Sequence, residues 1–128
     1  MPDYVIRRLV AALNERDMPV KGHRILVLGL AYKKNTGDDR ESPSTRIIEL
    51  LELLKADVAV CDPHVDPDRS HAAGSAEYVE LTVEQVRAAD AVVVLVDHDA
   101  FDLDMVASEA SYVLDTRRCT TGDAVEHL

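Results

Sequence analysis

The sequence predicts an α/β domain in which helices cover both faces of a parallel sheet. A continuous apolar segment, "RILVLGLA" at 24–31, has the length and composition of a strand buried on both faces. Segments of this kind alternate along the chain with segments whose apolar residues recur at helical spacing. This alternation is typical of strand–helix–strand units with right-handed crossovers, and 128 residues suffice for one such domain.

The elements follow in order from their local patterns. An amphipathic helix is predicted at 3–17, and the strand at 24–31 comes after the break "DMPVKGH". The next helix begins at Pro43, with Ser42 as its N-cap, because a polar cap followed by proline is typical of a first helical turn. It is predicted to run to about Lys55.

The second half of the chain repeats the alternation. Residues 63–78, rich in Pro, Asp, His and Gly, are predicted to form a loop. The patterns predict two further helices, at 82–89 and 101–108, the first of which begins with a capping-box pattern formed by Thr82 and Gln85. They also predict three further strands, at 57–62, 91–96 and 111–115.

The simplest doubly wound order for four such strands is 3-2-1-4. In that order the strand at 111–115 lies beside the strand at 24–31, and the topological switch lies between them. Ligands of doubly wound folds bind at the carboxyl ends of the strands at this point. The prediction is therefore a Rossmann-like three-layer domain, preceded by an N-terminal helix, with a ligand site at that switch.

The distribution of charge supports a site there. The formal net charge is −10, which argues against a nucleic-acid ligand. Between positions 47 and 116 there are 3 basic residues against 16 acidic ones. Other cations gather after two strands: Lys33, Lys34 and Arg40 after the first, and Arg117 and Arg118 after the one at 111–115. Both groups are expected to face one crevice, as in a phosphate-binding site.

These cations could also have a purely structural role, without any ligand. The turn after the first strand also carries Asp38, Asp39 and Glu41, so its formal charge sums to zero and its cations could serve only to neutralise it. In favour of a ligand, a helix that begins at Ser42 directs unpaired backbone N–H groups and a partial positive charge toward the same crevice.

Common alternatives lack their signatures. The turn after the first strand has no G-x-G-x-x-G, so the dinucleotide fingerprint is missing. Asp62 stands where a ribose-binding acid often lies, but without the glycines it is interpreted as a turn-forming residue before Pro63. Cys61 and Cys119 are interpreted as ordinary free thiols, Cys61 as part of the core.

No catalytic constellation and no metal site is predicted. Three histidines, His64, His71 and His98, lack metal-ligand spacing and are interpreted as exposed loop residues. No apolar segment reaches the roughly 18–20 residues that span a bilayer, and the start of the chain does not resemble a signal peptide. A cytoplasmic protein without membrane contact is therefore expected.

Several segments closely resemble the C-terminal domain of the UDP-glucose/GDP-mannose dehydrogenase family. The longest is "VLGLAYKKNTGDDRESPS", which resembles that domain's signature. The segment "ADVAVCDPHV" resembles its second strand, "AADAVVVLVDHDAF" its third, and "VLDTRR" the end of its fourth. "MPDYVIRRLVAALN" is similar to the end of the helix that leaves the family's central domain. The resemblance covers nearly the whole chain.

The resemblance implies an enzyme that oxidises the C6 hydroxyl of UDP-glucose, a UDP-N-acetylhexosamine or GDP-mannose to a carboxylate, with two NAD per turnover. In the family NAD is bound by an N-terminal domain, and a central-domain cysteine carries the chemistry. This sequence contains neither the G-x-G-x-x-G of that N-terminal domain nor the Gly-rich, Pro-containing motif around that cysteine. Residues 1–20 are therefore expected to end a linker helix and 21–128 to form the nucleotide-sugar-binding domain of a larger, homodimeric enzyme. Alone, the chain is expected to be inactive.

The resemblance also implies roles for individual residues. Tyr32 and Lys33 would contact the nucleotide of the UDP-sugar or GDP-sugar, and Arg117 would meet the same ligand. Arg40 would reach the NAD that is bound by the other domain. No catalytic residue is implied within the chain. The alternative is a stand-alone, non-catalytic interaction or regulatory module that has the same fold.

Overall fold

The computed structural model describes residues 2–31, 43–66 and 76–128. This part of the chain contains four helices and six strands. In chain order they are α1 Pro2–Glu15, β1 Arg24–Leu28, α2 Pro43–Leu53, β2 Asp57–Cys61, β3 Glu77–Tyr78, α3 Val83–Ala88, β4 Ala91–Val94, α4 Leu103–Glu109, β5 Val113–Asp115 and β6 Val125–His127.

The described strands form one parallel sheet in the order β3-β2-β1-β4-β5-β6. The predicted fold class is confirmed, and so is the order 3-2-1-4 for the first four strands. However, the third strand along the chain is β3, which lies inside the segment 63–78 that was predicted to be a loop. As a result β4 pairs directly with β1, while β5 pairs with β4. The expectation that the strand at 111–115 lies beside β1 is wrong by one strand.

Each central strand buries side chains on both faces of the sheet. In β1, Ile25 and Val27 join the core cluster that includes residues of α1 and α2, whereas Leu26 and Leu28 join the cluster on the opposite face. All four side chains are at most 1% exposed. Burial on both faces explains why the segment is continuously apolar rather than alternating between apolar and polar residues. The sheet and the helices on its two faces form the predicted three layers.

The ends of the elements are defined by local backbone geometry. β1 ends at Leu28 because Gly29 adopts φ +106°, where its N–H donates to the Cys61 carbonyl at 2.9 Å. The predicted cap of the third helix is confirmed, since the Thr82 hydroxyl accepts from the Gln85 N–H at 3.2 Å. The predicted cap Ser42 lies outside the described residues.

The sequence patterns did not reveal β3 and β6. These strands have two and three residues, too few for a hydrophobic period to be recognised. β6 adds an outer strand beside β5, and Tyr112 just before β5 donates its hydroxyl proton to Glu126 of β6. None of the helices in the described ranges is long and apolar enough to cross a membrane.

Candidate functional site

The predicted site lies at the carboxyl edge of the sheet, and the structure describes only part of it. Tyr32, Lys33 and Arg40 fall outside the described residues, as does Lys34. The proximity of Lys33 to Arg117 therefore stays a prediction. Arg117 is described: it lies two residues after the end of β5, in the loop that leads to β6.

The Arg117 side chain crosses from the end of β5 to the end of β4. Its Nε donates a hydrogen bond to the Leu95 carbonyl oxygen at 2.8 Å. Within the described ranges, no acceptor bonds to its two terminal nitrogens. Arg117 is thus held at one guanidinium nitrogen, and the two terminal nitrogens can take the bidentate contact that phosphate oxygens favour.

Arg117 shares a cavity of about 200 Å³ with the first turns of α1 and α2. Its lining is Pro2, Val5, Pro43, Ser44, Ile47, Leu95, Thr116 and Arg117. The first turn of a helix carries a partial positive charge, so two such turns and an arginine line one space. Although β4 separates β5 from β1, the cation after β5 therefore lies beside the start of the helix that follows the 32–42 segment.

A buried carboxylate, Asp62, organises the ends of β1, β2 and β4. One of its oxygens accepts from the backbone N–H groups of Leu30 and Ala31, at 2.8 and 2.9 Å. The same oxygen lies 2.9 Å from Nε2 of His98, whose side chain is as fully buried as that of Asp62. The other oxygen accepts from the His64 N–H at 2.9 Å.

These contacts change two interpretations drawn from the sequence. The bond to the His64 N–H confirms Asp62 as a turn-forming residue, but the carboxylate also anchors the end of β1. The interpretation of His98 as an exposed loop residue is wrong, because the residue is 1% exposed. A histidine can be buried where a carboxylate accepts its N–H, and a single sequence does not reveal such pairing. His64 is exposed, as expected, and His71 lies outside the described residues.

A second buried carboxylate, Asp115, lies at the end of β5 under the Arg117 loop. It accepts from the backbone N–H groups of Arg117, Cys119 and Thr120 at 2.8–2.9 Å, and from the Thr120 hydroxyl at 3.0 Å. Burial by itself would raise the pKa of Asp115, but these hydrogen bonds outweigh it and hold the pKa below its ordinary value. Asp115 is thus a fixed anion inside the loop.

The stability of the domain is expected to fall in acid because of Asp115. Its pKa in the folded chain lies below the ordinary 3.8, so the unfolded chain binds more protons in this range. The stabilisation is present above the ordinary pKa and is lost as the pH falls through the folded-state pKa. Urea unfolding between about pH 6 and about pH 3 measures it.

The control for this pH dependence is Asp115→Asn, which should flatten it. Two other titratable groups face the carboxylate, the Cys119 thiol at 3.6 Å and Nε2 of His127 at 3.8 Å. Replacing His127 with glutamine should leave most of the acid dependence in place. An equal loss of stability in acid with and without the Asp115 carboxylate would contradict the assignment.

Both cysteines are free thiols with little tendency to ionise near neutral pH. Burial raises the pKa of Cys61 to about 11, with the Asp62 charge adding to it. Partial burial, together with the charge of Asp115, likewise raises the pKa of Cys119 to about 11. The thiolate is the nucleophilic form, so both are poor nucleophiles. Among the described residues, no group of His, Cys, Asp and Glu is arranged to hold a metal ion.

A larger cavity of about 590 Å³ lies at the ends of β2 and β3. Apolar side chains, among them Val65, Leu81 and Phe101, form much of its wall. Asp62 also belongs to this wall, but its carboxylate is fully buried and bonded to the protein. That carboxylate is therefore not available to a ribose hydroxyl, the task that the acid at this position performs in dinucleotide-binding domains.

The fold and the site define a class: a Rossmann-like α/β domain that presents an arginine and helix N-termini at the carboxyl edge of its sheet, as anion-binding domains do. Residues 26–122 match the model of the UDP-glucose/GDP-mannose dehydrogenase family, UDP binding domain. The chain therefore belongs to this family, and the resemblance of its sequence motifs is confirmed.

Individual relatives are dehydrogenases of nucleotide sugars. The chain is 36% identical over 102 residues to the UDP-N-acetyl-D-mannosamine dehydrogenase of Methanococcus maripaludis, covering 79% of this chain and 22% of that protein. It is 36% identical over 110 residues to the UDP-glucose 6-dehydrogenase YwqF of Bacillus subtilis, covering 81% and 25%. The chain thus spans about a fifth to a quarter of the length of these curated relatives.

Solved structures agree with the fold. The NDP-N-acetyl-D-galactosaminuronic acid dehydrogenase of Methanosarcina mazei Go1 superposes with a TM-score of 0.80 at 26% identity, over 99% of this chain and 28% of that one. A UDP-glucose dehydrogenase of Pyrobaculum islandicum gives 0.70 at 28% identity, over 98% and 29%. The match extends through α1 and β6, beyond residues 26–122.

Proposed function

We propose that this chain is the C-terminal nucleotide-sugar-binding domain of an NAD-dependent nucleotide sugar 6-dehydrogenase. The observation that carries the proposal is the position of Arg117, which lines one cavity together with the start of α2. A diphosphate is a compact double anion, and both elements favour anions. The names of the relatives include UDP-N-acetyl-D-mannosamine and UDP-glucose, so UDP is the proposed nucleotide.

Four residues take proposed roles in this site. Tyr32 and Lys33 contact the nucleotide, and Arg117 contacts the same ligand. Arg40 reaches toward NAD held by a separate domain. Asp62 supports this arrangement indirectly, because its carboxylate holds the N–H groups of Leu30 and Ala31, directly before Tyr32.

The oxidation itself is proposed to take place in other domains of the enzyme. Oxidation of a C6 alcohol to a carboxylate removes two hydrides, which two NAD would accept, adds one water and releases three protons. The two cysteines of this chain are poor nucleophiles, so the domain's contribution is to bind and orient the sugar nucleotide. Residues 1–20 are proposed to end the linker helix from the central domain and 21–128 to form the binding domain of a cytoplasmic, homodimeric enzyme.

Removing the Arg117 guanidinium is expected to weaken UDP binding by about 10- to 100-fold, because a hydrogen bond to a charged group contributes roughly 1.5–3 kcal/mol. Titration of the 128-residue chain with UDP, by calorimetry or NMR, compares the native chain with Arg117→Ala. Lys33→Ala is expected to have a similar effect. UDP-glucose, UDP-N-acetylglucosamine and GDP-mannose, titrated in parallel, rank the nucleotide sugars.

Arg118→Ala provides the matched control. It removes the same charge from the same loop, but Arg118 donates to the Leu128 carbonyl rather than to the end of β4. We expect at most a threefold effect, as for an exposed charge in salt solution. Equal affinities of the native chain, Lys33→Ala and Arg117→Ala would contradict the proposed site. So would the absence of UDP binding by the native chain at millimolar concentration.

A further inference from the structure

The loop after β5 is built around the Asp115 carboxylate. Its two oxygens receive N–H groups from positions 117, 119 and 120 and the Thr120 hydroxyl proton. Asp115 is 0% exposed and Thr120 is 6% exposed, so the two bonds between them are buried, while the bonds from the Arg117 and Cys119 N–H groups are partly buried. In such surroundings a fully satisfied polar network favours one conformation of the loop.

The loop contains a residue in an unfavourable conformation. Arg118 has φ +55°, in the left-handed region that non-glycine residues seldom adopt. Such strain persists only where the surrounding bonds enforce it. Its consequence is that the two adjacent arginines diverge. Arg117 Nε donates to Leu95 at the end of β4, while Arg118 Nε donates to the Leu128 carbonyl at 3.2 Å.

The charges in the loop are arranged so that the arginine and the carboxylate do not neutralise each other. Asp115 bonds to the backbone N–H of Arg117 and, among the described residues, forms no ion pair with its guanidinium. A direct ion pair would have to break before a phosphate could bind. The observed geometry uses the carboxylate to hold the main chain and leaves the guanidinium charge for the cavity.

From this geometry we infer that Asp115, together with Thr120, is a positioning residue that holds Arg117 in the orientation used for the ligand's phosphates. The inference rests on the proposed function for the identity of the ligand. The orientation itself, the Arg117 Nε bond to Leu95, is a property of the unliganded chain and can be measured without any nucleotide.

The first measurement needs no ligand. In ¹⁵N NMR spectra, the Arg117 Nε–H is expected to exchange with water at least tenfold more slowly than that of an exposed arginine such as Arg46. Asp115→Asn and Thr120→Val are expected to remove this protection while the amide signals of β1 and β4 stay in place. Thr120→Ser, which restores a hydroxyl, should restore it. Protection that is unchanged in both Asp115→Asn and Thr120→Val overturns the inference.

The second measurement is the UDP affinity. Asp115→Asn is expected to weaken binding about tenfold in the native background and not at all in the Arg117→Ala background, because the effect passes through Arg117. Thr120→Val should cause a smaller loss of UDP affinity, again only in the background that retains Arg117. Thr120→Ser, which keeps a hydroxyl, should cause no loss. Equal losses in both backgrounds overturn the inference.

Failure of the inference is distinguishable from failure of the proposed function. If the native chain binds no UDP, the proposed function fails, while the Nε–H measurement still decides whether Asp115 positions Arg117. If Asp115→Asn does not fold, Thr120→Val decides, since it removes one hydrogen bond and keeps the carboxylate.

Discussion

Replacing Gly29 with alanine is expected to destabilise the domain by about 3–5 kcal/mol, as the sum of backbone strain and overpacking. Gly29 has φ +106°, a conformation that L-residues with a side chain rarely adopt. A Cβ at this position would lie 2.6 Å from Val96 Cβ and 2.7 Å from the Val96 backbone nitrogen. A backbone atom of a buried strand end cannot move aside cheaply, so the ends of β1 and β4 must separate.

Chemical denaturation measures the effect, and Gly22→Ala is its matched control. Gly22 also has a positive φ, +79°, but nothing lies within 4 Å of the position its Cβ would take. This variant should lose only the cost of a left-handed residue, about 1–2 kcal/mol. The difference between the two variants isolates the contact with Val96. Equal losses at the two positions would contradict the close approach.

Removing the Asp62 carboxylate, as in Asp62→Ala, is expected to cost about 3–5 kcal/mol, in the range for breaking a buried charged network. Without it, the N–H groups of Leu30 and Ala31 lose this acceptor, and the loss of an acceptor by a buried donor costs roughly 1–3 kcal/mol. The buried His98 loses its contact with this carboxylate as well. UDP binding should also weaken, because these N–H groups lie directly before Tyr32 and Lys33.

Two variants test this account of Asp62. Asp62→Asn keeps the shape and one acceptor oxygen, so it should be less damaging than Asp62→Ala. His64→Ala leaves the backbone N–H that bonds to Asp62 and removes an exposed ring, so it should change the free energy of unfolding by at most about 0.5–1 kcal/mol. Urea unfolding of the four chains ranks them. If Asp62→Ala were as stable as His64→Ala, the hydrogen bonds of the Asp62 carboxylate would not contribute measurably to the stability of the domain.

Local patterns were sufficient to predict most of the elements. The strands β1 and β4 are apolar at every buried position, and the helices that cover them show apolar residues at helical spacing. Thr82 was recognisable as a cap because capping depends on residues three positions apart. The gathering of cations after two strands directed attention to Arg117, which the structure places in a cavity at the carboxyl edge.

Longer-range features were not predictable in the same way. β3 is too short to show a period, yet its presence determines which strand lies beside β1. The pairing of Asp62 with His98 joins residues 36 positions apart, and both side chains are completely buried. A polar residue in a single sequence looks the same whether it is exposed or buried with a partner. Asp62 was therefore interpreted only as a turn-forming residue, and His98 as an exposed loop residue.

The sequence by itself determined the class of fold, the family and the clusters of cations, because periodicity, motif and charge are properties of neighbouring positions. Only the tertiary structure decided that Arg117 and the start of α2 line the same cavity, and that Asp62 and Asp115 lie beneath the loops as buried hydrogen-bond acceptors. The physical reason is that a buried carboxylate is stable only where several donors converge on it. Those donors come from segments that folding alone brings together.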